Sequence, residues 1–566
     1  AVMGQIIKQV PISYTIKGEN QVVLSESGLS DTNADKKKSI EGIVTDTNDE
    51  PVIGANIVIK GSSKGTITDV DGKFVLEVPE NAVLQVSYIG YEAQELKIGD
   101  KTVLNIRLQE DTQNLEEVVV VGYGTQTRSS LTSSITEIKG DQLTNLPVAN
   151  ISRAIDSYVP GVTASATLSE KPGSAPTLSI RGENSMNNSA PLVLIDGIEG
   201  SMNSINSNDI ANISVLKDAA STAIYGARAA GGVILITTKT GNKNQKIKIN
   251  YSGSYSHREA TRLPEKLDGY TYVQYRIIAE EASGKSSALN HPDILAALQD
   301  PAITEIPDPS RPLTHFSGTA NVDHVKEMMG SAGMHDHSLS MSGGNDKVSF
   351  LLSGAYLQED ALYRYGDFGF RRYNFRSNID FKFTDKISLA TRVSYSNSKT
   401  DSPVRGWDTE MHQAYYSHPC DPVRWSTTGQ WGGNNDGNVI QDLVEGGHKI
   451  EVQDRLEVSA NLKIDLAKGL TWNTIAGGYY LNTNTTEEYK SIFRYSVKPD
   501  VVIGKLYDPN SLLREETRAF YRNVQSYVNF DWNPIEKHTV KAMGGASYED
   551  RSEDYYYGKR QSYLNN

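Results

Sequence analysis

The chain has one cysteine among 566 residues, no excess of basic residues and no long apolar run. A single cysteine, Cys420, cannot form an intrachain disulfide, so a disulfide-stapled secreted fold is excluded. The net charge of -13 excludes the basic surface that nucleic-acid binding requires. Without a run of about 18 apolar residues the chain has no membrane-spanning helix, whereas a β-barrel stays possible because its strands alternate apolar and polar residues.

The residues that are abundant point to β-structure. The 30 tyrosines and 47 glycines, together with many Asn, Ser and Thr, favour a mainly β chain with many turns. A length of 566 residues predicts several domains. We interpret Cys420, in "SHPCDP", as an unreactive loop thiol rather than a catalytic nucleophile.

Two short zones come first. Residues 1–38 hold "ISYTIKGENQVVLS", which predicts two strands around a Gly-Glu-Asn turn, and then a polar Lys-rich linker. Residues 39–110 contain seven short β-rich runs separated by turn signals, which predicts a small sandwich. One signal, "DVDG", lacks the downstream Glu of a calcium-binding EF-hand, so we interpret it as a tight turn.

Residues 111–241 mix helix and strand. The runs "TLSIRG", "PLVLIDGI", "IANISVLK" and "GGVILITTK" predict strands, and residues 151–158 have helical spacing. The helix-like run before Gly231 and Gly232 consists almost entirely of small residues, among them Ala219, Ala220, Ala223, Gly226, Ala227, Ala229 and Ala230.

From residue 246 to the end, apolar and polar residues alternate, as in "RLEVSANLKID" and "YNFRSNIDFKF". A strand of about ten residues with one apolar face can cross a bilayer at a tilt. Tight connections such as "SGGND" and "DLAKG" alternate with long polar loops at 398–452 and 484–518. This alternation is typical of outer-membrane barrels, although a soluble sandwich could also show it.

Four motifs resemble the SusC/RagA family of TonB-dependent outer-membrane transporters. They are "LEEVVVVGYGTQ" (115–126), "LSIRGENSMNNSAPLVLIDGI" (178–198), "ISVLKDAASTAIYGARAAGGVILITTK" (213–239) and "HSLSMSGGNDKVSFLLSGAYLQEDALY" (337–363). The resemblance covers nearly all of residues 40–566. It implies a mainly β fold with a small β-sandwich domain, an α/β plug domain and the first part of a large antiparallel transmembrane β-barrel.

The resemblance also implies a domain order. We expect the tail of an N-terminal secretin/TonB-type domain plus linker at 1–38, a carboxypeptidase-regulatory-like sandwich without peptidase activity at 39–110, a TonB-box segment at 111–126, a plug at 127–241 and a partial barrel at 246–566. Plugged barrels need about 22 strands. The last zone supplies about nine or ten by pattern, so we expect a longer protein whose remaining half closes the barrel.

A plug inside a barrel would explain the small residues, because backbones approach closely only where side chains are short. An ordinary α/β-domain helix with a glycine hinge is the alternative. The candidate TonB box would add to the edge of a partner sheet as an extended, unpaired strand; otherwise it is a strand of one of the adjoining domains. It comprises Glu116, Glu117, Val118, Val119, Val120 and Val121.

Further candidates follow from side-chain chemistry. Arg181 and Arg228 could latch the plug to carboxylates of the wall, or be ordinary surface arginines. Amides suit sugar hydroxyls or peptide backbones, and aromatic rings in long loops could stack on sugars or mark the membrane interface. The substrate-contact candidates are Asn184, Asn187, Asn188, Trp407, Trp425 and Trp431, with Tyr415 and Tyr416 as further loop aromatics.

The expected function is TonB-dependent import of a large nutrient, a glycan oligomer, across the outer membrane of a Bacteroidetes bacterium. The implied partners are TonB and a SusD-like surface lipoprotein that acts as a lid, in a dimer of such pairs. We expect no enzyme activity, no cofactor and no metal; the "HDH" of residues 335–337 is interpreted as loop polarity. Alternatives are oligopeptide import by the same mechanism and a surface receptor or adhesin that does not transport.

Overall fold

The computed structural model forms two compact units, Ala1–Glu117 and Val118–Asn566. No helix among the described residues is long and apolar enough to cross a membrane. The described residues are 12–17, 21–26, 37–46, 51–59, 62, 64–79, 82–88, 91, 94–99, 102–108, 118–121, 124–127, 135–144, 150–165, 171–182, 190–313, 315–433, 437–495, 501–535 and 538–562.

The first unit contains the predicted hairpin and the predicted sandwich. The hairpin joins β1 (Ile12–Lys17) to β2 (Gln21–Glu26) in antiparallel pairing. The sandwich has seven strands: β3 (Lys37–Thr45), β4 (Asn56–Ile59), β5 (Gly65–Ile67), β6 (Lys73–Pro79), β7 (Val83–Ser87), β8 (Gln94–Lys97) and β9 (Val103–Arg107).

These seven strands form two sheets with the orders β6-β3-β9 and β5-β4-β7-β8. One core is built from the inward residues of both sheets, such as Ile40, Phe74 and Leu84. The "DVDG" segment is a tight turn, as predicted, in which the amide of Gly72 donates to the carbonyl of Asp69 at 3.0 Å. The alternation of buried and exposed residues along β6 is what makes the sandwich predictable.

The second unit begins with the hairpin of β10 (Val118–Val121) and β11 (Gly124–Thr127). Residues 135–239 then form what we name the α/β unit. Its strands are β12 (Ile135–Lys139), β13 (Val162–Ser165), β14 (Thr177–Ile180), β15 (Leu192–Ile195), β16 (Ile198–Glu199), β17 (Ile210–Leu216) and β18 (Val233–Thr238).

Five of these strands make a mixed sheet in the order β12-β17-β18-β15-β16, and β13 pairs with β14 separately. The helices are α1 (Gly140–Thr144), α2 (Ser152–Tyr158) and α3 (Ala219–Thr222), with 3-10 turns at Met202–Ser204, Ser207–Asp209 and Ala223–Ala229. All four predicted strands are present. The predicted helical spacing is also confirmed, because Ile151, Ala154 and Ile155 are buried along α2.

The small-residue run does not lie in a tight space. Ala223, Gly226, Ala227 and Ala230 are exposed, whereas Thr222 and Ala229 are buried. The backbone kinks at Gly226, which has a φ of 70°. The nine-stranded sheet of this chain does not enclose these positions, and the kink at Gly226 agrees with the alternative of a glycine hinge. Enclosure of the run by a complete barrel stays a prediction. Close approach occurs instead at the end of the run, where a Cβ on Gly232 would lie 2.7 Å from the Ile180 side chain.

A nine-stranded antiparallel sheet follows, in the order β19-β22-β23-β24-β25-β26-β27-β30-β31. Its strands are β19 (Lys248–Glu259), β22 (Ser331–Gly344), β23 (Val348–Asp360), β24 (Gly369–Lys382), β25 (Ile387–Pro403), β26 (His448–Ala467), β27 (Leu470–Tyr489), β30 (Ser511–Ile535) and β31 (His538–Gln561). Short pairs, β20 (Glu305–Pro307) with β21 (Phe316–Gly318) and β28 (Ile492–Tyr495) with β29 (Val502–Leu506), lie in the connections.

On β24 the polar side chains point inward and the aromatic ones outward. On β24, Tyr373 and Phe375 are 48% and 49% exposed, whereas the alternate residues from Arg372 to Asn378 are at most 9% exposed. A soluble sandwich buries its apolar face, so the reversed pattern matches a sheet whose outer face meets lipid. The predicted alternation is confirmed.

The long connections carry structure that the pattern did not predict. Their helices are α4 (Gly269–Ala282), α5 (Pro292–Ala297), α6 (His324–Met328), α7 (Trp407–Tyr416) and α8 (Val439–Glu445). Three of the connections pack together in what we name the loop body, a core built from Val325, Met328, Phe368, Trp407, Ala414, Val439, Ile440 and Leu443. The long loops are thus a folded element of their own.

Candidate functional site

The surface where the α/β unit meets the nine-stranded sheet is the candidate site. Four successive inward positions of β24 carry Arg372, Asn374, Arg376 and Asn378, and we name them the β24 ladder. Their exposure is 4%, 9%, 3% and 1%. Because side chains on one face of a strand are two residues apart, the ladder presents a continuous row of donors to the α/β unit.

The ladder holds backbone carbonyls of the α/β unit. The Nη1 of Arg372 donates to the carbonyl of Asn203 at 2.6 Å, and the Nδ2 of Asn374 donates to the carbonyl of Ser204 at 2.6 Å. The Nδ2 of Asn378 donates to the Oγ1 of Thr238 at 2.8 Å and to the carbonyl of Lys239 at 2.7 Å. Segments far apart in the chain are therefore bound to one strand.

Arg376 lies between two carboxylates of the α/β unit. Its Nη1 is 3.7 Å from Asp196 and its Nε is 3.6 Å from Asp209. Asp196 also accepts hydrogen bonds from the amide and the hydroxyl of Thr238, at 3.0 and 2.7 Å. Burial raises the pKa of Asp209 above its ordinary value, although Arg376 favours the charged form.

A turn fixes the position of Asp196. Asp196 and Gly197 have φ values of 50° and 88° and join β15 to β16, as expected for an Asp-Gly turn in a two-residue hairpin. The motif "LIDG" therefore has two roles, since its aspartate tolerates the left-handed backbone and also meets Arg376. We did not predict Asp196, Asp209 or Arg376 as site residues; the inward polar positions of β24 were the signal that could have found Arg376.

Arg228 contacts the far end of the sheet. It makes an ion pair with Glu549 of β31, and its Nη1 is 3.7 Å from Glu199 of its own unit. This is the geometry expected of a latch, although the latching role itself stays a prediction. Arg181 is exposed, with a φ of 60°, and no ion pair joins it to the described residues of the sheet. The latching role of Arg181 stays a prediction.

The tip of the α/β unit reaches the loop body. The amide of Gly173 donates to the Oε2 of Glu359 at 2.7 Å, and the Nζ of Lys171 is 2.8 Å from the Oδ2 of Asp408 in α7. A side chain at Gly173 would collide with Phe370, and the φ of 70° also favours glycine. Sequence analysis did not identify this contact.

The candidate TonB box is only partly described. Val118–Val121 is extended, as predicted, but it is paired with Gly124–Thr127 in a hairpin, so the expectation of an unpaired strand is wrong for this structure. Glu116 and Glu117 lie outside the described residues, as do Asn184, Asn187 and Asn188.

Two of the three tryptophans fit neither prediction, that they stack on sugars or that they mark the membrane interface. Trp407 and Trp425 are 6% and 1% exposed, so they offer no face to a sugar ring or to the membrane interface. Trp431 is half-buried, its ring lies 3.6 Å from the guanidinium of Arg424, and its Nε1 donates to Glu445 at 2.7 Å. The substrate-contact prediction is therefore wrong for Trp407 and Trp425. Tyr416, in contrast, is 80% exposed.

A buried charge cluster organises the loop body. Asp442 makes ion pairs with Arg405 and with Arg494, the latter at 3.4 Å, and Glu410 is 3.9 Å from Arg405. Burial, and next the negative charge of Asp442, raise the pKa of Glu410 to about 8. Glu410 is 1% exposed, so its carboxyl group is out of reach of bulk water.

No described residues form a group of three or more side chains that could hold a metal ion. His335 and His337 lie in β22 rather than in a loop, so the loop interpretation is wrong, and their rings contact Tyr255 and Tyr251. Burial raises the pKa of the Cys420 thiol to about 12, which keeps it protonated and unreactive.

Two family models match the chain. Residues 40–120 match the CarboxypepD_reg-like domain, and residues 127–233 match the TonB-dependent Receptor Plug Domain. The TonB-dependent receptor P26 of Formosa agariphila is 31% identical over 517 residues, covering 88% of this chain and 47% of the relative. The TonB-dependent receptor SusC of Bacteroides thetaiotaomicron is 34% identical over 373 residues, covering 64% of this chain and 34% of the relative.

The fold agrees with these matches. The RagAB peptide importer in its open-open state superposes with a TM-score of 0.62 at 21% identity, covering 78% of this chain and 50% of that chain. The present chain spans about half the length of the curated relatives P26, P3 and P39. Sequence and structure together identify the chain as a SusC/RagA-like TonB-dependent receptor of the outer membrane, with a plug domain and a large antiparallel sheet of the receptor barrel.

Proposed function

We propose that the protein imports a large nutrient across the outer membrane when TonB pulls on the segment Glu116–Val121. The observation that carries this proposal is the docking of the α/β unit on the inward face of a sheet whose outward face is apolar. A passage closed by a polar, hydrogen-bonded unit needs work to open it. The outer membrane has no ion gradient of its own, so that work has to come through a partner.

The domain order expected from the sequence belongs to this proposal. Residues 111–126 are the segment that TonB grips, residues 127–241 the plug, and residues 246–566 part of the wall. Arg228 is the latch candidate that we retain, because it meets Glu549 on the wall. The curated relatives are TonB-dependent receptors, which are not enzymes, and we propose no catalytic step.

We propose a glycan oligomer as the cargo and a SusD-like lipoprotein as the lid, in a dimer of such pairs. Oligopeptides are the second candidate, and the fold likeness to a peptide importer favours them. The exposed rings of Tyr415 and Tyr416 on α7 offer faces for stacking in either case. Uptake of labelled glycan and peptide panels by cells that carry the intact receptor separates the two cargoes.

The mechanism is tested by deleting Glu116–Val121 in the intact receptor. We expect uptake to be lost and cargo binding at the cell surface to be kept, because the deletion removes the grip for TonB and leaves the loops intact. The matched control deletes residues 31–36 of the polar linker and keeps uptake. If the Glu116–Val121 deletion changes neither binding nor the uptake of the cells, that uptake does not depend on a pull by TonB on this segment and the proposed mechanism is refuted. A receptor or adhesin that binds cargo without transporting it would give this result.

A further inference from the structure

We propose that the outward face of the nine-stranded sheet carries a binding site for the phosphorylated headgroup of a lipid in the outer leaflet. The site is formed by Arg371 of β24 and Lys399 of β25, which we name the cation pair. It faces the membrane rather than the passage, so it is independent of which cargo the protein imports.

The cation pair consists of like charges held directly opposite each other. Arg371 is exposed on the outward face of β24, and its register partner on β25 is Lys399. Side chains opposite each other on one face of antiparallel strands have Cβ atoms about 5 Å apart, and like charges in that position destabilise the sheet. An anion bound between the two side chains removes this repulsion.

The chain itself supplies little negative charge to the pair. Arg371 makes no ion pair with any of the described residues, and on its other side it faces the neutral amide of Gln358 on β23. Lys399 is 3.6 Å from Asp401, but that carboxylate also binds the Nδ1 of His448 at 2.7 Å. The exposed guanidinium of Arg371 is therefore open to an anion from outside the chain.

The height of the cation pair is that of a lipid headgroup. Aromatic and aliphatic residues predominate on the outward face from Tyr373 to Phe383, at the turn after β24, which is ten positions. At about 3.3 Å per residue and a tilt of about 40°, this stretch covers about 25 Å, the height of the apolar band of an outer-membrane barrel. Arg371 lies two residues beyond Tyr373 on the side of the loop body. Since the long loops of such barrels are extracellular, this position is the headgroup level of the outer leaflet.

Aromatic rings lie beneath the cation pair. The ring centroids of Tyr356 and Tyr373 are 5.0 Å apart, and Tyr373 is 48% exposed. Tyrosines at this depth mark the interface between headgroups and hydrocarbon. A lipid whose headgroup is bound at Arg371 would therefore place its acyl chains along Tyr373 and the exposed Phe375 below it.

Phosphate is the group that fits the two side chains. The guanidinium of Arg371 can bind two phosphate oxygens through parallel N–H donors, and the ammonium of Lys399 can donate to a third oxygen. A phosphate that belongs to a lipid also gains the apolar contacts below the pair, which a free phosphate ion lacks.

Equilibrium binding of lipid to the intact, detergent-purified receptor tests the proposal. The probes are phosphorylated lipid A, the same lipid after dephosphorylation, and inorganic phosphate, all at one salt concentration. The test variant combines Arg371→Gln with Lys399→Gln. The matched control is Arg522→Gln, because Arg522 is also exposed but has its own carboxylate partner, Asp550, at 3.6 Å.

We expect the double variant to bind phosphorylated lipid A about 30-fold more weakly than the parent, since each basic residue at an anionic membrane surface contributes a factor of about five. The control variant should bind as the parent does. Equal binding by the parent and the double variant, an equal loss in the control, or undiminished binding of the dephosphorylated lipid would overturn the proposal. Displacement of the lipid by an equal concentration of inorganic phosphate would also overturn it, because the site would then be one for the free ion.

A second measurement needs only one substitution. In lipid-free detergent we expect Arg371→Gln to be at least as thermally stable as the parent, because the change removes the repulsion from Lys399. Phosphorylated lipid A should then raise the unfolding temperature of the parent more than that of the variant. A variant that is less stable without lipid, or that gains as much stability as the parent with it, would contradict the lipid site.

Discussion

Arg376 shows how a single side chain can hold two surfaces together. Replacing it by Met removes the positive charge and leaves Asp196 and Asp209 facing each other inside the interface. We expect the variant Arg376→Met to lose about 3–5 kcal/mol of plug stability, since removal of one partner of a buried pair leaves an unpaired charge. Thermal unfolding of the detergent-solubilised receptor, with trypsin cleavage of the plug as a second readout, measures the loss.

The matched control combines Arg376→Met with Asp196→Asn and Asp209→Asn. Replacing all the charges at once leaves no uncompensated group, so we expect most of the lost stability to return. If Arg376→Met alone is as stable as the parent, the ion pairs at 3.6 and 3.7 Å contribute nothing to docking.

Glu410 makes the stability of the loop body depend on pH. Its pKa is raised to about 8, so the folded loop body holds a proton that the unfolded chain releases above its ordinary carboxyl pKa of 4.5. The stabilisation is complete below that ordinary value and is lost as the pH rises through about 8. The pKa of Asp442 is raised by burial too, which changes stability in the same direction.

We therefore expect proteolysis of residues 404–447 to become faster as the pH rises across this window. In Glu410→Gln the side chain stays neutral, so the pH dependence should become shallower while the loop body stays folded. The rate of cleavage by a protease whose own activity is flat over the window measures this. Identical pH profiles for the parent and Glu410→Gln would contradict the assignment.

Residue-level prediction succeeded where a residue's role was set by its neighbours in the chain. Asp196 and Gly197 form the hairpin turn that their types favour. It failed for Trp407 and Trp425, because burial in the loops depends on packing between segments far apart in sequence. The contact between Arg376 and Asp209 was missed for the same reason.

At the scale of the strand, the alternation along β26 gives a direct test of which face meets lipid. Val458 is 47% exposed on the outward face, whereas its neighbour Ser459 is half-buried on the inward face near Glu199 and Arg376. We expect Val458→Arg to cost about 2–4 kcal/mol of barrel stability in a bilayer, since a cation on the lipid face at mid-membrane depth is poorly solvated. Unfolding by denaturant in phospholipid vesicles measures the difference.

Ser459→Arg is the control on the opposite face. Glu199, Glu457, Arg376 and Arg392 lie on this inward side, so an added guanidinium is surrounded by polar groups rather than by lipid. We expect Ser459→Arg to lower barrel stability much less than Val458→Arg does. Equal costs on the two faces would show that β26 does not separate lipid from a polar interior.

Strands were easier to predict than the helices of the loops. Apolar and polar residues alternate along β24 and through the middle of β26, so these two strands can be recognised from a single window of sequence. Helix α4 was missed although its signals are present: Asp268 caps its start by accepting from the amide of Thr271 at 2.9 Å, and Gly284 follows its end with a φ of 77°.

At the scale of the molecule, the sequence predicted the layers better than the contacts between them. The seven-stranded sandwich, the α/β unit and the nine-stranded sheet each follow from local periodicity and turn residues. The β24 ladder does not, because hydrogen bonds such as that from Asn378 to Thr238 join residues 140 positions apart. The family resemblance predicted that a barrel encloses the plug, but it did not predict which strand of the wall binds the plug.

The inside-out arrangement of the nine-stranded sheet also constrains how it can assemble. If β24 paired with β23 one residue out of step, Arg372 and Arg376 would turn toward hydrocarbon, and Tyr373 and Phe375 would turn toward the plug. In that register the two arginines would be poorly solvated by lipid, and the α/β unit would lose the hydrogen bonds and ion pairs that they make. The register of β24 is therefore specified on both faces of the strand. A shift of one residue is unfavourable where the strand meets lipid and also where it binds the α/β unit.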